Sequence, residues 1–138
     1  RIGKGMNIIL DSSAAIELAL NREKSKQIEA LISEAEWVIA PDLFISEVTN
    51  VLWTYHNFRQ VPIVLCEAAL ENVIQFIDNF VETKDLYKEA FAMSCLTKHS
   101  AYDAMYLILA RRNNAFLLTM DKKLKATAQQ QSIKVADI

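Results

Sequence analysis

"MNIILDSSAAIELAL" (residues 6–20) carries the reading that decides the fold. Its first five residues form a short apolar run that stops at Asp11, as a buried strand does. "SSAAIELAL" then reads as a helix, with serines suited to capping its start. "AFLLTMDKKLKATAQQQ" (residues 115–131) repeats the pattern: an apolar run, an aspartate at its end (Asp121), and a helix.

Working outward, "EKSKQIEALISEA" reads as a second helix with Ile28, Leu31 and Ile32 on one face, and "EWVIA" as a strand closed by Pro41. A long helix follows over roughly residues 42–59. Pro62 opens another, "PIVLCEAALENVIQFIDNF", apolar over a wide arc, with interface and plain core packing weighed equally. "VETKD" is an extended segment. Two more helices, "LYKEAFAMSCLTKH" and "SAYDAMYLILARRNN", precede the "AFLLT" strand, and "IKVADI" closes the chain as an edge strand. Strands alternating with helices imply a parallel sheet covered on both faces. In such sheets ligands bind outside the carboxyl ends of the strands, where Asp11 and Asp121 fall.

The chain of 138 residues suits one domain with a core of its own. "RIGKG" before Met6 reads as a cloning scar on residues 1–5, leaving a domain over 6–138. Without Arg1 and Lys4 the formal charge of −2 becomes −4. That balance argues against a protein that coats nucleic acid, but not against an enzyme that meets it through a local patch. No apolar run is long enough to span a bilayer, so no membrane role is expected and a cytoplasmic location is. Cys66 and Cys95 are isolated and read as reduced small residues.

Four carboxylates occupy unusual places. Asp11 ends the most apolar strand, where turn formation and capping are the ordinary alternatives. Glu47, in "APDLFISEVTNVLW", borders the apolar face of its helix, where a carboxylate needs a partner or reaches out to water. Asp103, in "SAYDAMYLILA", stands three residues after Ser100, the spacing of a capping box. Asp121 is fully explained as a helix cap. Taken together they change meaning. Helices that follow parallel strands begin at the sheet's carboxyl edge, so all four acids can meet on one rim. Like charges in a small space call for a divalent cation. With no histidine or cysteine placed to join, an oxygen-only set favours Mg²⁺ or Mn²⁺ and suits phosphodiester hydrolysis. His56 and His99 read as surface or boundary residues, His99 being a distant candidate for substrate contact. Lys122, Lys123 and Lys125 with Arg111 and Arg112 suggest a basic lip near the rim, against the commoner solvated helix face.

At this point the chain resembles the PIN domain family, and within it the toxin ribonucleases of VapBC-type toxin–antitoxin pairs. The pieces that carry the resemblance are "IILDSSAAIE", "ISEVTNVLW", "AYDAMYLILARR" and "AFLLTMDKKL", in the family's order. The resemblance implies an α/β/α sandwich with a central parallel sheet of about five strands. It implies that Asp11, Glu47, Asp103 and Asp121 surround Mg²⁺ or Mn²⁺, with Ser13, Asn50 and Thr119 orienting the carboxylates. Asp11 and Asp103 would be the main ligands, Glu47 a ligand or the group that positions the attacking water, and Asp121 the residue that completes the set. It further implies cleavage of single-stranded RNA to a 3′-hydroxyl and a 5′-phosphate, a homodimer, and a small antitoxin docked beside the site. The alternatives are a PIN nuclease of RNA processing or DNA without a toxin role, and a non-catalytic PIN-like module that binds protein. A receiver-like phospho-acceptor domain does not fit acids carried by helices.

Overall fold

The computed structural model describes residues 5–138. Most of the stretch read as a scar, residues 1–4, lies outside them. Four parallel strands, β1 (Asn7–Leu10), β2 (Trp37–Pro41), β3 (Asn79–Val81) and β4 (Phe116–Leu118), form one sheet in the order β3-β2-β1-β4. Seven helices among the described residues cover it: α1 (Ser12–Ala19), α2 (Ser25–Glu34), α3 (Leu43–Arg59), α4 (Ile63–Gln75), α5 (Tyr87–Thr97), α6 (Ala101–Arg112) and α7 (Lys122–Gln130).

Successive side chains of a strand point to opposite faces, and β1 divides accordingly. Ile8 and Leu10 join Val38, Ala40, Phe44, Val48 and Val73 in one buried cluster under α1 to α4. Ile9 joins Ile39, Leu117, Leu107 and Leu124 in a second cluster under α5 to α7. The α/β/α sandwich is therefore present, with β1 and β2 apolar on both sides as parallel strands must be.

Two expectations need correction. The sheet has four strands, not five: the "IKVADI" segment contributes a single parallel bridge, Leu117 to Val135. Leu117 N–H donates to Lys134 O and Ala136 N–H to Leu117 O, each at 2.9 Å, and pairing goes no further. The apolar run opened by Pro62 is not one helix either. α4 stops at Gln75 and residues 79–81 become β3, because a continuous apolar run satisfies a buried strand as well as a buried helix. The two cysteines are free, Cys66 buried and Cys95 exposed. No helix among the described residues is long and apolar enough to cross a membrane.

Candidate active site

The site grows from the turn that ends β1. Asp11 has extended backbone (φ −89°, ψ 169°) and is itself the N-cap of α1, a role the sequence suggested for the serines. Its Oδ1 accepts from Ala14 N–H at 3.0 Å and from the Ser13 hydroxyl at 2.7 Å. Its Oδ2 accepts from the Thr119 hydroxyl. Both hydroxyls give their single proton to Asp11, and each accepts a backbone N–H from the β4–α7 turn: Met120 to Ser13 at 2.9 Å, Asp121 to Thr119 at 3.0 Å. The two strand–Asp–helix units are thus clamped through Asp11. The carboxylate is only 6% exposed, and burial raises its pKa to about 6 against the hydrogen bonds from Thr119, Ala14 and Ser13, with the charge of Asp103 adding to the rise.

Glu47 comes from the second turn of α3. Its Oε1 accepts a 2.6 Å hydrogen bond from the Tyr106 hydroxyl of α6. Burial raises the Glu47 carboxyl above its ordinary range; the Tyr106 bond opposes this, and the charges of Asp11 and Asp103 reinforce it. Tyr106 is 2% exposed and held far above the ordinary tyrosine range, first by burial and then by the charge of Glu47.

Asp103 sits in the first turn of α6, three residues before Tyr106 and so on the same side of the helix. Ser100 caps that helix by accepting Asp103 N–H at 3.1 Å, which is half of a capping box. The Asp103 side chain turns instead toward His99, with Oδ2 at 3.4 Å from Nδ1. Lys98, in the left-handed region (φ 64°), ends α5 and turns the chain into His99. The His99 ring is buried, and its Nε2 lies 2.5 Å from the Thr127 hydroxyl of α7. His99 is therefore a buried partner of a candidate site residue, not the surface or boundary residue expected.

Asp11 closes β1, and Glu47 stands in the second turn of the helix that follows β2. Tyr106 ties Glu47 to the helix of Asp103, one turn away, so the three carboxylates lie toward the carboxyl edge of the sheet. Asp121 stands at the margin of this group. It is exposed, caps α7 by accepting Lys123 N–H at 2.9 Å and Leu124 N–H at 3.1 Å on Oδ1, and reaches Asp11 only through its backbone N–H and Thr119. Asn50 is exposed one turn beyond Glu47, and no side-chain hydrogen bond ties it to the acids among the described residues.

The PIN domain family model matches residues 8–130, nearly the whole described chain. This chain is a PIN domain. A relative that matches along this PIN domain is Ribonuclease VapC3 of Pyrobaculum aerophilum, 31% identical over 125 residues that span 86% of this chain and 92% of the relative. Among solved structures, PAE2754 from Pyrobaculum aerophilum superposes with a TM-score of 0.70 at 22% identity, over 88% of this chain and 84% of that one. Mycobacterium tuberculosis VapC20, a Sarcin-Ricin loop cleaving toxin, superposes with a TM-score of 0.59 at 20% identity, over 86% and 93%. At those identities the two structures speak to the fold.

Does the donor set of this PIN domain fit a hard divalent cation? Among the described residues, no three His, Cys, Asp or Glu side chains already stand where one ion would touch them all. The chemistry of the set does fit. No lysine or arginine forms an ion pair with Asp11, Glu47 or Asp103 among the described residues. The clamped Asp11 keeps a lone pair on Oδ2, and Glu47 Oε2 and Asp103 Oδ1 accept no hydrogen bond from the described protein. Three carboxylates with no lysine or arginine partner and with free oxygens are the donor type a hard cation takes. A cleft of about 530 Å³ lies between α2 and the C-terminal segment, and none of the four acids lines it.

Proposed function

We propose that this PIN domain is a metal-dependent endoribonuclease that cuts single-stranded RNA, the toxin of a toxin–antitoxin pair. One observation carries the reading. Three carboxylates with no lysine or arginine partner among the described residues lie toward the carboxyl edge of a parallel sheet, in a chain alike along most of its length to Ribonuclease VapC3.

Asp11, Glu47 and Asp103 would hold Mg²⁺ or Mn²⁺, which when bound would offset their charge and stabilise the charge developing on the phosphate. Asp11 is the fixed member, clamped by Ser13 and Thr119. Tyr106 holds one oxygen of Glu47 and leaves Oε2 to accept a hydrogen bond from the attacking water. That water's oxygen bonds to phosphorus as the bond to the 3′ oxygen breaks. The proton the water loses passes to Glu47, the 3′ oxygen takes one from solvent, and the products are a 5′-phosphate and a 3′-hydroxyl. His99 steadies Asp103 from behind. Asp121 serves first as the cap of α7, and its second oxygen joins the outer edge of the site.

The partners this reading implies are a small antitoxin and a second copy of the chain, acting in the cytoplasm. The exposed apolar side chains Trp53, Phe58, Ile63, Val64 and Leu65, at the end of α3 and the start of α4, support a partner surface. The test is cleavage of labelled single-stranded RNA with Mn²⁺ and with chelator. Wild type is expected to cut only with metal, and Asp11→Asn and Asp103→Asn to lose cleavage. Undiminished cutting by both variants overturns the assignment.

A further inference from the structure

A polyanion must approach an acidic rim on an acidic protein, so some local cation has to guide it. The lip suggested by the sequence does not supply one at Arg111 and Arg112. They end α6, and their guanidinium groups turn to neighbours on other helices and not to the acids. Arg112 is engaged by Glu89 at 2.5 Å, and Arg111 reaches Gln131 at 3.5 Å.

A different pair is better placed. A cleft of about 420 Å³ opens beside the rim, with Ser13 and Met120, the pair whose hydrogen bond steadies Asp11, in its wall. Its far wall is Tyr55 with Arg22 and Arg59. The Arg59 guanidinium lies 4.8 Å from the centre of the Tyr55 ring, and that of Arg22 lies 5.8 Å from it. Arg22 also donates a 2.7 Å hydrogen bond to the Tyr55 hydroxyl.

Two like charges thus share one ring, and a single carboxylate answers them. Glu17 Oε1 is 3.7 Å from Arg22 Nε, while its Oε2 accepts Lys24 N–H. Arg59 has no acidic partner within ion-pair distance among the described residues. The patch carries one positive charge in excess, with several guanidinium N–H groups unused, which is what one phosphodiester requires.

The patch is also in register with the acids. Glu47, Val51, Tyr55 and Arg59 are successive steps of one i, i+4 ridge on α3. By helical rise Tyr55 stands about 12 Å from Glu47, and Arg59 about 18 Å.

We infer that the cleft walled by Arg22, Tyr55 and Arg59 is the path of the polynucleotide leaving the acidic rim, with the two arginines holding a backbone phosphate a few nucleotides away from the cleaved bond. The inference rests on the nuclease reading for its direction and on the cleft's own charge for its ligand.

The test is binding of a fluorescein-labelled oligouridine, followed by anisotropy in Mg²⁺ over a range of salt, in an Asp103→Asn background that does not cut. Added Arg59→Ala or Arg22→Ala is expected to weaken binding roughly fivefold or more and to lower the salt dependence by about one counterion. Arg112→Ala, at the far end of α6, is expected to change neither. In the cutting enzyme Arg59→Ala is expected to raise KM while kcat stays near wild type, and equal melting temperatures show that the fold is kept. If wild type cuts RNA and the Arg22 and Arg59 variants bind and cut as it does, the path is refuted and the cleft serves another partner. If no RNA is cut yet both variants lose oligouridine affinity, the nuclease reading fails and the cleft remains a polynucleotide site.

Discussion

Tyr106 gives its hydroxyl proton to Glu47 Oε1 across 2.6 Å, joining α6 to α3 over the sheet edge. The bond does two jobs. It satisfies a nearly fully buried phenol, and it leaves Oε2 of Glu47 without a hydrogen bond from the described protein. Tyr106→Phe should therefore cost about 1.5–3 kcal/mol, the range for a hydrogen bond to a charged group. It should also lower kcat, because Glu47 is then free to turn. Urea denaturation and single-turnover cleavage measure the two effects; a stable and fully active variant would contradict the role given to Tyr106.

Asp11 sets a pH dependence whose sign can be worked out. Its folded pKa, about 6, lies above the ordinary 3.8, so the folded state binds the proton more tightly than the unfolded chain. The stability this group lends is full below about pH 3.8 and is lost as pH rises through 6, by about 3 kcal/mol at 1.36 kcal/mol per unit. Glu47, also raised, acts in the same direction. In chelator, wild type should lose stability relative to Asp11→Asn between about pH 4 and 6.5. With Mn²⁺ present the loss should shrink, because an ion competes with the proton for the same oxygens. Denaturant melts at stepped pH test this, and a wild type that gains on the variant as pH rises would contradict it.

Thr119 joins Asp11 to the turn that begins α7. Thr119→Val keeps the shape but removes the donor to Asp11 and leaves Asp121 N–H without its acceptor. The lost hydrogen bond to the buried Asp11 carboxylate costs about 1.5–3 kcal/mol. Loss of a group that orients a ligand typically lowers metal affinity about tenfold or more. Both losses together are expected from melting curves and Mn²⁺ titration, and unchanged affinity would separate Thr119 from the site.

Asp121→Asn separates capping from metal binding. Asparagine caps a helix about as well as aspartate, so the melting temperature should stay within a degree or two. Asp121 reaches Asp11 only through Thr119, so cleavage should fall far less than in Asp103→Asn. Complete loss of activity with unchanged melting would move Asp121 into the inner set of ligands.

What the sequence disclosed was what is local. A strand ended by aspartate and followed by a helix start is written in adjacent residues, so Asp11 and Asp121 were legible, with β1, β4 and both faces of the sandwich. The Ser13 and Thr119 contacts were expected only through the family resemblance. β3 was hidden because its three residues extend an apolar run that a helix satisfies equally well. Tyr106 stands one helical turn after Asp103, but its bond to Glu47 spans 59 residues and is fixed by how α6 crosses α3. His99 was a distant candidate for substrate contact, but its burial carried no signal, because that depends on the left-handed turn at Lys98. Arg22 and Arg59 come from different elements and meet only on the ring of Tyr55.

The central claim is that the grouped acids Asp11, Glu47 and Asp103 hold a divalent cation. Mn²⁺ titration of the metal-free protein, followed by electron paramagnetic resonance, tests it most directly. Saturable binding in wild type, weakened at least tenfold in Asp103→Asn and retained in Arg112→Ala, is the expected result. Binding that does not saturate in wild type, or that is equal in wild type and Asp103→Asn, would contradict it.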